Sequence, residues 1–179
     1  MEQESKHDFA TETIELPSKG LLYPEDNILS KGVIELRYMT AAHEDILTNQ
    51  AYISKGIVFD KLIQALIVTP INYGDLVVGD KDAVMIASRI LGYGKNYQFV
   101  YGGETNVVDL STLENRPFDT TLIEPYKNEF KYTLPNTGTN LTFKILTDSD
   151  EKKIAAELEG LKKIKKDGSP VITTRLKYL

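Results

Sequence analysis

The chain has 179 residues, of which 41% are hydrophobic and 26% charged. This is ordinary globular composition, and a chain of this length buries about 70% of its unfolded surface on folding. It contains no cysteine, which excludes disulfides, thiolate metal sites and a cysteine nucleophile. A net charge of -5 and two histidines, His7 and His43, disfavour bulk attraction to nucleic acid or anionic lipid and leave any metal site dependent on carboxylates.

The start of the chain is polar, with no apolar signal-peptide core, and the longest uncharged apolar run, 62–73, is too short to cross a bilayer. Both features predict a protein kept in a cytoplasm. Residues 1–12 read as a flexible arm. Thr13-Ile-Glu-Leu16 alternates as a short strand. The next stretch, Leu16-Pro-Ser-Lys-Gly-Leu-Leu-Tyr-Pro24, is forced into an irregular, turned path by two prolines and Gly20. It is expected to anchor through Leu21, Leu22 and Tyr23.

Residues 33–39 alternate, with Ile34, Leu36 and Tyr38 on one face, and predict a strand. Thr40 then stands at a helix N-cap, with Glu44 and Asp45 near the positive helix end. Residues 57–68 are apolar at 58, 59, 62, 63, 65 and 66, the spacing of a helix with a wide buried face. Asp80 is an N-cap candidate for a helix over 81–91, ended by a left-handed Gly92. These two helices and the 33–39 strand are expected to form the main core.

The second half changes character. Residues 97–101 and 105–110 flank Gly102-Gly103 as a hairpin, and residues 129–134 and 141–146 form another. Between them, 111–128 reads as a linker containing Pro117 and Pro125. Thr147 and Asp150 resemble a capping box that opens a polar helix. Ile154, Leu158 and Leu161 form its narrow apolar seam. Asp167-Gly-Ser-Pro170 breaks it, and 171–179 opens another ordered element. The fold class is α+β: a helical N-terminal half with a short strand, then antiparallel hairpins and a C-terminal helix. The division expected is 13–110, an α+β core with the first hairpin, and 111–179, the second hairpin with the polar helix.

Chemical motifs are weak throughout. Gly74-Asp-Leu-Val-Val-Gly79 has phosphate-loop glycine spacing, but Asp80 stands where a lysine belongs. Gly92-Tyr-Gly94 lacks the third glycine of a dinucleotide fingerprint. His43-Glu44-Asp45 are consecutive on a helix and point apart. Asp148, Asp150 and Glu151 fail the calcium-loop order at Lys152. Lys162, Lys163, Lys165 and Lys166 form a basic run at a helix end, without interleaved aromatics for base stacking. Among ten tyrosines, Tyr23, Tyr38, Tyr52, Tyr73, Tyr93, Tyr97 and Tyr101 sit near turns or element ends, as a core rim or a binding surface.

Two stretches carry a resemblance. Leu16 to Pro24 followed by Val33-Ile-Glu-Leu-Arg-Tyr-Met-Thr-Ala-Ala-His-Glu-Asp-Ile-Leu-Thr-Asn49 is one, and Leu76-Val-Val-Gly-Asp-Lys-Asp-Ala-Val-Met-Ile-Ala-Ser-Arg-Ile-Leu-Gly-Tyr-Gly94 is the other. They resemble the T4-like baseplate hub protein family of contractile-tailed phages. Asn128-Glu-Phe-Lys-Tyr-Thr-Leu-Pro135 and Phe143-Lys-Ile-Leu-Thr-Asp148 fit it too. The likeness implies a late protein of hub assembly, a hub component or an assembly chaperone, with no enzymatic activity and no cofactor. It implies other hub proteins as partners, homo- or hetero-oligomers, and no nucleic acid or membrane. The host cytoplasm during assembly, and the tail baseplate of the virion, are the implied locations. Where some relatives carry a Cys-x-x-Cys pair in the first hairpin, this chain has Tyr101-Gly-Gly-Glu104. Relatives are also expected to continue beyond the last segment, which ends here at Leu179.

The surfaces expected to meet a partner are Leu16, Pro17, Leu21, Leu22, Tyr23 and Pro24, with Ile154, Leu158 and Leu161 on the polar helix. Two other function classes set against this reading are a carboxylate hydrolase or metal-dependent enzyme using Glu44, Asp45, Asp80 and Asp82, and a nucleic-acid module using the lysine run.

Overall fold

The structure is a computed structural model that describes residues 10–115, 119–164 and 170–179. In chain order its elements are β1 (Thr11–Glu15), β2 (Val33–Arg37), α1 (Ala41–Leu47), α2 (Gln50–Ser54), α3 (Val58–Leu66), α4 (Val78–Tyr93), β3 (Asn96–Tyr101), β4 (Glu104–Asp109), β5 (Phe130–Thr133), β6 (Asn140–Phe143), α5 (Asp148–Ile164) and α6 (Val171–Leu176). The fold is α+β, and among the described residues the strands form three antiparallel two-stranded sheets. No helix among the described residues is long and apolar enough to cross a membrane. Of the expected features, most of the 1–12 arm, His7, Pro117, Lys165, Lys166 and Asp167–Ser169 lie outside the described residues.

The chain forms two units that interleave in sequence, in place of one boundary near residue 110. The first comprises Met1–Leu16, Val33–Pro70 and Ala83–Arg116; the second comprises Pro17–Gly32, Ile71–Asp82 and Pro117–Leu179. Helix α4 gives its first turn to the second unit and the remainder to the first.

In the first unit, β1 pairs with β2 in a register that sets Ile14 opposite Ile34. The strand therefore starts two residues before the expected Thr13, inside the stretch read as an arm. Alternation in β2 buries Ile34 and Leu36 and leaves Val33 partly exposed. Residue 67 bridges Leu36, the Val68 N–H donates to Glu35, and Glu35 N–H donates to Thr69 Oγ1 at 2.8 Å. Those bonds cover the second edge of β2. Helix α3 buries Leu62, Ile63 and Leu66, whereas Phe59, expected on that face, is 58% exposed.

Thr40 stands at the α1 N-cap as expected. His43 completes the cap, its Nδ1 accepting the Thr40 N–H at 3.0 Å. Asn49 then starts the separate short helix α2, accepting from Ala51 and Tyr52. Gly92 is an interior residue of α4, not its left-handed stop. A Cβ there would lie 2.2 Å from Met39 Sδ, and the left-handed residue is Gly94, at φ +77°. Strands β3 and β4 meet as expected around Gly102 and Gly103, whose φ of 61° and 85° a two-residue hairpin turn requires.

In the second unit, Gly20 packs backbone to backbone on the Ile28–Lys31 turn. The site of its missing Cβ is 2.2 Å from the Ser30 carbonyl oxygen. Leu29 is fully buried there. Residues Val77 and Thr147 form a single antiparallel bridge, with Val78 N–H donating to Leu146 and Asp148 N–H to Leu76. Helices α4 and α5 both start from this bridge. Helix α5 packs on α6 and on the Tyr73–Asp75 turn. Residues 171–176 thus continue as a helix, tied back by a Lys144 N–H bond to the Leu179 carbonyl. The second hairpin is shorter than its alternation predicts, and Phe130 stacks on Phe143 at 5.4 Å.

Candidate functional site

Asp80 decides how the second unit's surface is built. It lies at the third position of α4 and is 1% exposed. Its carboxylate accepts the Ser18 N–H at 2.9 Å, the Ser18 Oγ–H at 2.6 Å and the Tyr23 hydroxyl at 2.6 Å. Tyr23 Oη in turn accepts the Val77 N–H at 3.1 Å. Asp80 is therefore not the N-cap its position suggests, but a buried anchor for the Ser18–Tyr23 turn. Burial and the adjacent Asp80 charge both push the Tyr23 hydroxyl well above the ordinary phenol range.

This anchoring corrects the expected partner surface. Leu16, Leu22 and Tyr23 are buried within the chain, and so is Ile154, at 1% exposure. Side chains taken up by the core cannot meet a partner. Pro17, Leu21, Leu158 and Leu161 are half-buried and Pro24 is exposed, so they keep accessible surface.

The turn also forms one wall of an apolar groove of about 380 Å³. Pro17 and Leu22 line it beside Val77, Ile123, Phe130 and Ile145. Its Ser18 and Asp80 atoms are already bonded to each other, so the groove offers apolar contact and no free buried charge. Sequence reading missed it because its lining comes from four separated stretches. The alternation of β5 and β6 was the one local sign, since it required cover for Phe130.

The remaining motifs have structural occupations. Gly74 lies in a 3-10 turn with its Cβ site 2.3 Å from Ser149 Oγ, and Gly79 lies in the first turn of α4. They make no phosphate loop. Glu44 accepts the Tyr93 hydroxyl at 2.7 Å, a bond that raises the tyrosine's pKa, while His43 caps α1. Asp148 is buried between Lys81 and Lys152, each at 2.6 Å, and both ammonium groups also lie over the Tyr73 ring. Asp150 accepts the Thr147 N–H at 3.1 Å and Lys144 Nζ at 2.7 Å, while Thr147 Oγ1 accepts the Asp150 N–H at 3.3 Å. The expected capping box is thereby present with Asp in the glutamate position. Glu151 pairs with Arg175. Among the described residues no group of three or more His, Asp or Glu side chains is arranged to hold a metal ion.

Tyrosines divide between the two readings made of them. Tyr23 and Tyr73 are core; Tyr38, Tyr93, Tyr97 and Tyr101 are exposed. The most exposed apolar residues include Val100, at 72%, and Tyr101, at 79%, at the tip of the first hairpin. Comparison with known proteins returns no matching family model, curated protein or solved structure.

Proposed function

We propose that this chain is a phage tail baseplate hub assembly protein, a hub component or an assembly chaperone, that works through protein–protein contacts. The observation that carries the reading is the apolar groove of the second unit, lined by Phe130, whose ring stacks on Phe143. The polar side chains at its wall are consumed by structure, so its chemistry suits another protein's apolar side chains. The exposed aromatic hairpins add to the same reading. The resemblance of residues 16–49 and 76–94 to hub proteins supplies the class of partner. Assembly in the host cytoplasm follows from it, with the tail baseplate as the location of a subunit that stays.

Co-expression with the other hub proteins, followed by pull-down, tests this proposal. Recovery of at least one hub protein, lost on charging the groove with Ile145→Asp, is the expected result. Failure to retain any hub protein overturns it. Mass spectrometry of purified tails then separates a subunit, which remains, from a chaperone, which is missing.

A further inference from the structure

Strand β3 is a six-residue edge without a charge or a proline: Asn96, Tyr97, Gln98, Phe99, Val100, Tyr101. Among the described residues it pairs with β4 alone. Every one of its residues is exposed. Folded proteins usually guard such an edge with lysine, proline or a bulge, because its outward N–H and C=O groups accept another strand. A two-stranded ribbon is also marginal by itself, and added strands stabilise it.

The phase of the ladder shows which groups face outward. Leu110 N–H donates to the Lys95 carbonyl at 2.8 Å, and the two-residue turn sets Tyr101 opposite Glu104. Residues 95, 97, 99 and 101 therefore exchange bonds with the neighbouring strand. The backbone groups of Asn96, Gln98 and Val100 point away from it. Tyr97, Phe99 and Tyr101 share one face, and the Tyr97 and Phe99 rings stack at 6.0 Å.

We infer that β3 pairs antiparallel with β3 of a second copy of this chain, about a twofold axis at Gln98. The symmetry matches the chemistry. Gln98 meets its own copy, and Asn96 meets the copy's Val100, each as a hydrogen-bonded pair. Tyr97 meets the copy's Phe99 on the shared aromatic face, where cross-strand rings interact favourably. A four-stranded sheet results, in the order β4-β3-β3-β4. Strand β4 carries two acids, Glu104 and Asp109, the kind of charged guard that β3 lacks, which selects β3. An uncharged strand has no ion pair to offer a charged partner, whereas its own copy matches it in pattern and length. This pairing is independent of the proposed hub role.

The chain's lack of cysteine makes the test clean. Under mild oxidation Gln98→Cys is expected to form a disulfide dimer, because hydrogen-bonded partners lie about 5.5 Å apart between Cα atoms. Thr105→Cys, on the far strand, is expected to form it far more slowly. In sedimentation equilibrium the unaltered full chain is expected to dimerise. Val100→Pro removes one outward N–H per copy without touching the β3–β4 bonds, and should weaken the dimer about tenfold or more. Gln98→Lys should weaken it as well by placing like charges at the axis. The inference is overturned if the unaltered chain stays monomeric, or if Gln98→Cys crosslinks no faster than Thr105→Cys. A dimer that survives Val100→Pro and Gln98→Lys unchanged overturns it too.

Discussion

Ser18 donates both its N–H and its hydroxyl to Asp80, 62 residues further along the chain. A third donor, the Tyr23 hydroxyl, completes the carboxylate's set. Hydrogen bonds to a charged acceptor are worth about 1.5–3 kcal/mol each, and buried donors left unpaired add to the loss. Asp80→Ala is therefore expected to lower stability by about 3–5 kcal/mol in urea denaturation. Tyr23→Phe removes a donor and also the acceptor of the Val77 N–H, for a loss of about 2–3 kcal/mol. The two losses should be strongly non-additive in a double-mutant cycle, since they share one bond. Additivity within about 0.3 kcal/mol would show that Tyr23 and Asp80 do not interact.

Two glycines of the second unit should respond to alanine with opposite signs. Gly20 has φ +79°, and an added Cβ would meet the Ser30 carbonyl oxygen at 2.2 Å. Left-handed strain alone costs about 1–2 kcal/mol, and the backbone must also move, so Gly20→Ala should lose about 3 kcal/mol or more. Gly160 lies within α5 with open space at its Cβ site. Gly160→Ala should gain about 0.5–1 kcal/mol through helix propensity and a less free unfolded chain. Melting temperatures of the pair check both signs.

The hairpins and the α5 cap were legible because their signals are local. Strand-forming runs flanking Gly102-Gly103 define β3 and β4, and Thr147 needs Asp150 three residues on. Asp80 was misread for the converse reason. An acid at a helix start looks the same whether it caps its own helix or receives Ser18 from far away. Gly92 was misread similarly, since its need for a missing Cβ comes from Met39. Leu16, Leu22 and Tyr23 are apolar residues on an irregular turn and Ile154 belongs to a helical seam, and neither pattern says whether such residues are covered by this chain or by another. The groove was illegible because residues 17–22, 77–80, 119–123 and 130–145 come together only in the fold.

Ile145 offers a way to separate binding from folding. Its side chain lines the groove yet is 37% exposed. Ile145→Asp should cost about 1 kcal/mol or less of stability, because much of the side chain is already solvated. A hydrophobic dye that reports the groove should bind the variant more weakly. Unchanged dye binding with unchanged stability would place the exposed apolar surface elsewhere, at the hairpin tips.

Thr147 and Asp150 tie the start of α5 to acid stability. Burial pushes the Asp150 carboxyl up, but the Lys144 ammonium and the two Thr147 bonds outweigh it and hold the pKa below its ordinary 3.8. A depressed folded-state value means stability that is present above the unfolded pKa and lost as pH falls through the folded one. Asp150→Asn should therefore flatten the decline in urea midpoint below about pH 4. Thr147→Ala should cost about 1 kcal/mol near neutrality, as loss of a cap does. A decline in Asp150→Asn as steep as in the unaltered chain would assign acid sensitivity to other carboxylates.

The alkaline limit should belong to Tyr23. Desolvation and the Asp80 charge raise its pKa far above the unfolded value of 10.0. For a group raised on folding, the protonated form is the one the native state favours. Its contribution is then complete below the unfolded pKa and is lost as pH climbs toward the folded one. Stability should thus be flat with respect to this group up to about pH 10 and fall above it. In Tyr23→Phe no phenol remains at that site to ionise. The variant should start less stable at neutral pH, for want of the two bonds, and then lose less than the unaltered chain between pH 10 and 11. Urea midpoints measured across that range decide the matter: parallel declines in the two proteins would mean that another tyrosine or lysine sets the alkaline limit.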